Sequence, residues 1–182
     1  MIMDSTTKQS WNLWVGNHAR EMEAFIQTWN EKGCAQFILG KIHCDWKPTR
    51  RTSRGGLYRV DGIRQPGISI AMSSYIPRYG YPLRHYEYKS FDDDPFIGGF
   101  YTDDMEHPIL AVVAHEISHA IQRWREWYIK LPRSKPHGDE FKLYYARLRA
   151  VFINPLLPDQ KSMKIQHHEF KNTVVSGELL NV

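Results

Sequence analysis

The segment A-H-E-I-S-H-A, with His115 and His119 between Ala114 and Ala120, constrains this chain more than any other feature. It lies in a stretch from Glu106 to Tyr128 that reads as a helix. The apolar run is Ile109 to Ala114, Asp103 or Asp104 can cap it, and Pro108 falls in its first turn. Histidines four apart on a helix are offset by about 40° around its axis, so both imidazoles face one side. Two rings one turn apart can both reach a zinc ion at the usual bond length of roughly 2.0–2.1 Å. Glu116, next to His115, is placed to meet a water on that metal rather than the metal itself. Zinc lowers the pKa of such a water towards about 7, so a carboxylate can take its proton. The competing reading is an ordinary helix with surface histidines.

A catalytic zinc needs a third protein ligand and an open position. The metzincin extension of the motif fails here, because Gln122 stands where Gly is required. Two other residues are candidates. Glu140, twenty-one residues after His119, would complete a thermolysin-like set from the following helix. His137, in P-H-G-D-E-F, comes eighteen residues after His119, where a turn back across the helix could deliver it. A tyrosine or histidine often steadies the oxyanion in such chemistry. Tyr101, Tyr128 and Tyr144 are available for that role, and the sequence does not choose among them.

The rest of the chain reads as one domain of ordinary globular composition, with 182 residues, 42% hydrophobic and 24% charged. A first helix is expected over Gln9 to Lys32, with Trp11, Trp14, His18, Met22, Phe25 and Trp29 on one stripe and Gly33 as its stop. Strands are expected within Ala35 to Asp45, over Leu57 to Val60 and over Gly67 to Ser73. Tyr75 to Asp104 reads as a long irregular connection, and such loops in compact domains are more often functional than idle. Asp139 should cap a third helix whose apolar face is Phe141, Tyr144, Tyr145, Leu148, Val151 and Phe152. The expected order is helix, small sheet, loop and two helices, an α+β domain over residues 1–155 followed by an extension at 156–182.

Net charge is +4, and Lys47, Arg50, Arg51, Arg54, Arg59 and Arg64 fall within eighteen positions. Arg50, Arg51 and Arg54 are therefore candidate nucleic-acid contacts, against the plainer reading of a solvated loop. Met1 to Ser10 lacks the apolar core of a secretory signal, and no run could span a bilayer, so a cytoplasmic protein without a membrane partner is expected. Cys34 and Cys44, the two cysteines, are expected to be free thiols. His18, His43, His167 and His168 read as structural or surface residues, and His107 as a candidate partner behind the ligands. Asp92, Asp93, Asp94, Asp103 and Asp104 match no calcium loop and read as a solvated acidic stretch.

H-E-I-S-H-A-I-Q followed by H-G-D-E-F resembles the SprT/Spartan-like zinc metallopeptidases, which pair H-E-x-x-H with a downstream H-G-x-x-F-type motif. G-I-S-I-A-M-S and the Arg- and Gly-bearing segment Arg51 to Gly56 are similar to the segments upstream in that family. The resemblance covers about residues 10 to 150. It implies a zincin-like, minigluzincin-type fold with a small sheet packed on the active-site helix. It also implies one zinc per chain on His115, His119 and His137, with Glu116 as general base and a protein or peptide as substrate, DNA-associated proteins included. No C-x-x-C pair is present to build the zinc ribbon that many members carry. Two rival functions follow from the same residues: a nucleic-acid-associated binding module with structural zinc, and a small-molecule amide hydrolase.

Overall fold

The computed structural model describes residues 5–47, 49, 52–74, 83–89 and 91–175. Four helices and two small sheets make a mixed α+β arrangement. Helix α1 spans Ser5–Gln27, α2 Glu106–Tyr128, α3 Asp139–Phe152 and α4 Gln160–Val175. Strands β1 (Lys41–Asp45), β2 (Arg54–Val60) and β3 (Ile63–Ala71) form one sheet in the order β1-β3-β2. Strand β3 is parallel to β1 and antiparallel to β2. Strands β4 (Leu83–His85) and β5 (Phe100–Thr102) form an antiparallel pair. Among the described residues no helix is long and apolar enough to cross a membrane.

Helix α2 is the axis of the core. Apart from His119, every position from Pro108 to Gln122 is buried, so the helix is enclosed by neighbours rather than lying on a surface. Its apolar residues share one cluster with Ile68 and Ile70 of β3, Val15, Met22 and Ile26 of α1, and Phe141, Tyr145 and Leu148 of α3. Its first turn is tied by the Asp104 carboxylate, which accepts a hydrogen bond from the Glu106 N–H at 2.8 Å. Asp104 thus serves the helix start from just outside it, and the formal cap residue, Met105, contributes no side-chain bond. Helix α3 likewise begins at Asp139 itself, with Gly138 rather than Asp139 in the cap position.

Other expectations shift in register. The buried stripe of α1 is Val15, Ala19, Met22 and Ile26, while Trp11, Trp14, Phe25 and Trp29 pack at its margins. Indole rings are rarely fully buried, and here they roof the edges of the smaller residues. The helix stops at Gln27, and Gly33 makes its left-handed turn (φ +92°) farther on. Only the last five residues of Ala35–Asp45 are strand, whereas β2 begins three residues earlier than Leu57, inside the basic, glycine-bearing segment. On α3, Val151 is exposed. The C-terminal extension contains α4, which docks on β5: the Gln160 side-chain amide accepts from the Tyr101 N–H at 2.7 Å and donates to its carbonyl at 3.1 Å. Cys34 and Cys44 are free and buried, and burial pushes both thiols up to about 11.

Candidate metal centre

His115 and His119 lie one turn apart on α2, and the loop into α3 returns His137 to them. The Nε2 atom of His137 is 3.0 Å from Nε2 of His119 and 3.3 Å from Nε2 of His115. Three nitrogens bound tetrahedrally at the ordinary zinc–imidazole distance stand about 3.3 Å apart. The spacing therefore fits one metal ion, and the three side chains form a potential metal cluster. Phe141 of α3 lies behind all three rings, with centroid separations of 4.4–4.9 Å. Burial first, then the neighbouring His115 and His137, hold His119 down at about 3; burial and His115 also lower His137. Both are thus neutral near pH 7, the form that binds metal.

Gln122, which breaks the metzincin pattern, has its own structural task. Its side-chain amide donates to the Ser134 hydroxyl at 2.6 Å and the Lys135 carbonyl at 2.9 Å. Glu126, one turn on, accepts from the Ser134 N–H at 2.8 Å. These bonds clamp the loop just before His137 onto the same helix that carries His115 and His119. A glycine at position 122 could not do this.

Glu116 is buried on α2 beneath β2. Burial pushes its carboxyl up to about 7; the adjacent His115 and a hydrogen bond from the Gly55 N–H offset this in part. The approach of β2 requires glycine, because a Cβ on Gly55 would stand 1.7 Å from the Glu116 backbone oxygen. Neither backbone can yield without moving strand or helix. Gly55→Ala should therefore destabilise the fold by about 3 kcal/mol, the upper end of overpacking costs. Gly56→Ala, whose Cβ meets nothing within 4 Å, should cost less than about 1 kcal/mol. Urea midpoints measure both, and equal shifts would contradict this close packing.

The long connection supplies three residues that the sequence did not single out: His85, Glu87 and Tyr88. Asp92 folds this segment, accepting from the Glu87 N–H at 2.9 Å with one oxygen and from Arg84 at 2.8 Å with the other. Asp94 accepts from the N–H groups of Phe96 and Ile97 at 2.8 and 3.1 Å. These two aspartates are thus loop-building residues and not part of a solvated acidic stretch. The Glu87 carboxylate meets His85, His115, Tyr145 and Arg149. Burial alone would raise its pKa, but the hydrogen bonds and charges of His115 and His85 hold it at about 2. The Tyr88 ring lies over the cluster, 4.0 Å from the His137 centroid and stacked on His115 at 5.5 Å, while remaining half exposed. Burial and then the nearby Glu116 and Glu87 carboxylates raise its phenol. A motif search could not have found these residues, since only the folded path of the chain brings them to the histidines.

Glu140 does not join the cluster. It accepts from Arg125 at 2.8 Å and from Tyr144 at 2.6 Å, tying α3 to the far end of α2. Those bonds also occupy Tyr144. Tyr101 sits in β5 against α4, and Tyr128 stacks on Trp124. His107 contacts the Thr102 hydroxyl at 2.7 Å rather than any of the three histidines. Arg54 is exposed at the start of β2, one residue from Gly55, whereas Arg50 and Arg51 lie outside the described residues. Compared with models of known families, with curated proteins and with solved structures, the chain matches none, so its resemblance to a family rests on its own histidine motifs.

Proposed function

We propose that the chain is a zinc-dependent metallopeptidase of zincin-like fold, one metal ion being held by His115, His119 and His137. The observation that carries this reading is the convergence of three imidazoles, with Nε2 of His137 standing 3.0 and 3.3 Å from Nε2 of His119 and His115, beside a buried glutamate on the same helix as those two. Three protein ligands leave the fourth position of a tetrahedral metal open, as catalytic zinc requires. Bound there, zinc would supply Lewis-acid polarisation and acidify a water. Glu116 accepts the water's proton and passes it to the leaving amine. Strand β2 is one of the two outer strands of its sheet in the described residues and starts beside Glu116. An extended peptide laid along that edge would gain main-chain hydrogen bonds and bring its scissile bond to the histidines.

Tyr88 is better placed than Tyr101, Tyr128 or Tyr144 to donate a hydrogen bond to the developing oxyanion. Its ring covers the cluster from the exposed side, and its phenol stays protonated at neutral pH. Tyr88→Phe keeps the ring and removes the donor, so kcat should fall by about 10²–10³-fold with zinc retained. An unchanged kcat would remove Tyr88 from the mechanism.

A role on DNA-associated substrates is favoured by one observation. Arg59 and Arg64 face each other directly across β2 and β3, both exposed, and Arg54 lies on the same hairpin. Like charges directly opposite are unfavourable, and a polyanion laid over them would relieve the repulsion. The experiment for the function itself is cleavage of an unfolded protein substrate by chelated and zinc-reloaded enzyme, with and without DNA. Activity that returns with zinc supports a peptidase. Zinc retention without any cleavage supports a binding module, and turnover confined to small amides supports a small-molecule hydrolase.

A further inference from the structure

Deepening the metal-site reading, on which it rests, we propose that Glu87 is the positioning residue for His115, holding its imidazole as the Nδ1–H tautomer so that Nε2 is the atom presented to the metal. The two nitrogens of His115 face opposite ways. Nε2 lies 3.3 Å from the corresponding atom of His137, inside the cluster, and Nδ1 lies 3.6 Å from Oε2 of Glu87.

The two carboxylate oxygens are divided just as sharply. Oε1 is the anchored one: His85 Nε2 is 3.1 Å away, Arg149 is 3.8 Å away, and the Tyr145 hydroxyl donates to it. Oε2 is left for His115. The Glu87 side chain is 5% exposed, so its oxygens cannot turn to water instead. Its backbone is pinned as well, through the N–H bond to Asp92. A buried carboxylate with one oxygen held by two hydrogen-bond contacts and an ion pair to Arg149, and the other turned towards a ligand imidazole, is built to orient that ring. The separation of 3.6 Å is longer than a well-formed hydrogen bond of about 2.7–3.2 Å and within ion-pair reach, so a small turn of the His115 ring would close it. A carboxylate behind a ligating histidine fixes the tautomer and makes the ring a better donor; its loss typically costs about 10–100-fold in metal affinity.

The experiment is a zinc titration of the metal-free full chain against a chromogenic chelator, for the parent and for Glu87→Gln, with unfolding midpoints measured on the same metal-free samples. The expected result is zinc binding weakened by about 10–100-fold in Glu87→Gln. A carboxylate that merely braces Tyr145 and Arg149 would lower the midpoint and leave zinc affinity alone, which overturns the inference while the metal site stands. A parent that binds no zinc overturns the metal site itself, and the inference with it. Should Glu87→Gln not fold, ¹⁵N-imidazole spectra of the zinc-loaded parent decide. An Nδ1 proton on His115 and coordination through Nε2 uphold the inference, and coordination through Nδ1 overturns it.

Discussion

Glu116→Gln is expected to leave zinc content and folding intact and to slow peptide hydrolysis by about 10²–10⁴-fold, the usual contribution of a general base. Glutamine is nearly isosteric and can still accept the Gly55 N–H bond that holds the side chain under β2. What it lacks is any means of taking a proton. Because Glu116 precedes the turn that carries His119 and is not among the three converging ligands, its loss should be silent in a metal assay. Single-turnover cleavage alongside zinc analysis makes the comparison. A variant that loses zinc would make Glu116 a ligand, and one that cleaves at the parent rate would exclude it from proton transfer.

His119→Ala and His137→Ala are expected to weaken zinc binding by more than the roughly 10–100-fold that outer partners contribute, since each leaves two ligands where catalytic sites use three. His115→Ala should behave alike. Glu140→Ala is the contrasting variant. Its carboxylate is engaged with Arg125 and Tyr144, so zinc affinity should hold while the α2–α3 contact loosens. Chelator competition reads the affinities and a urea midpoint reads the loosening. Zinc lost from Glu140→Ala and kept by His137→Ala would restore the thermolysin-like set and remove the resemblance on which the family reading rests.

Those two outcomes correspond to the choice that spacing left open, and the folded chain brings His137 rather than Glu140 to His115 and His119 through residues that no pattern contains. The bounds of α2 were legible because a long apolar period, an acidic residue before it and an early proline all agree. The turn that returns His137 depends on Gln122, Glu126 and Ser134, which look like ordinary polar positions in the sequence. Glu87 and Tyr88 were less legible still. They reach the histidines only because Asp92 and Arg84 fold a stretch rich in Pro, Gly and Asp into a defined shape. In α1 the large aromatics marked the correct side of the helix and missed its centre, since volume sets which side chains fit inside. The basic cluster was visible as composition, whereas the close approach of Gly55, the residue after Arg54, to the Glu116 backbone was not.

Zinc K-edge absorption on the purified, zinc-loaded chain tests the central claim most directly, because it counts what surrounds the metal. The expected spectrum shows about one zinc per chain with three imidazole nitrogens and one oxygen donor at roughly 2.0–2.1 Å, which is an open catalytic position filled by solvent. Four protein ligands, or sulfur scattering at about 2.3 Å, would mean a closed structural site and contradict the assignment of this helix to hydrolysis.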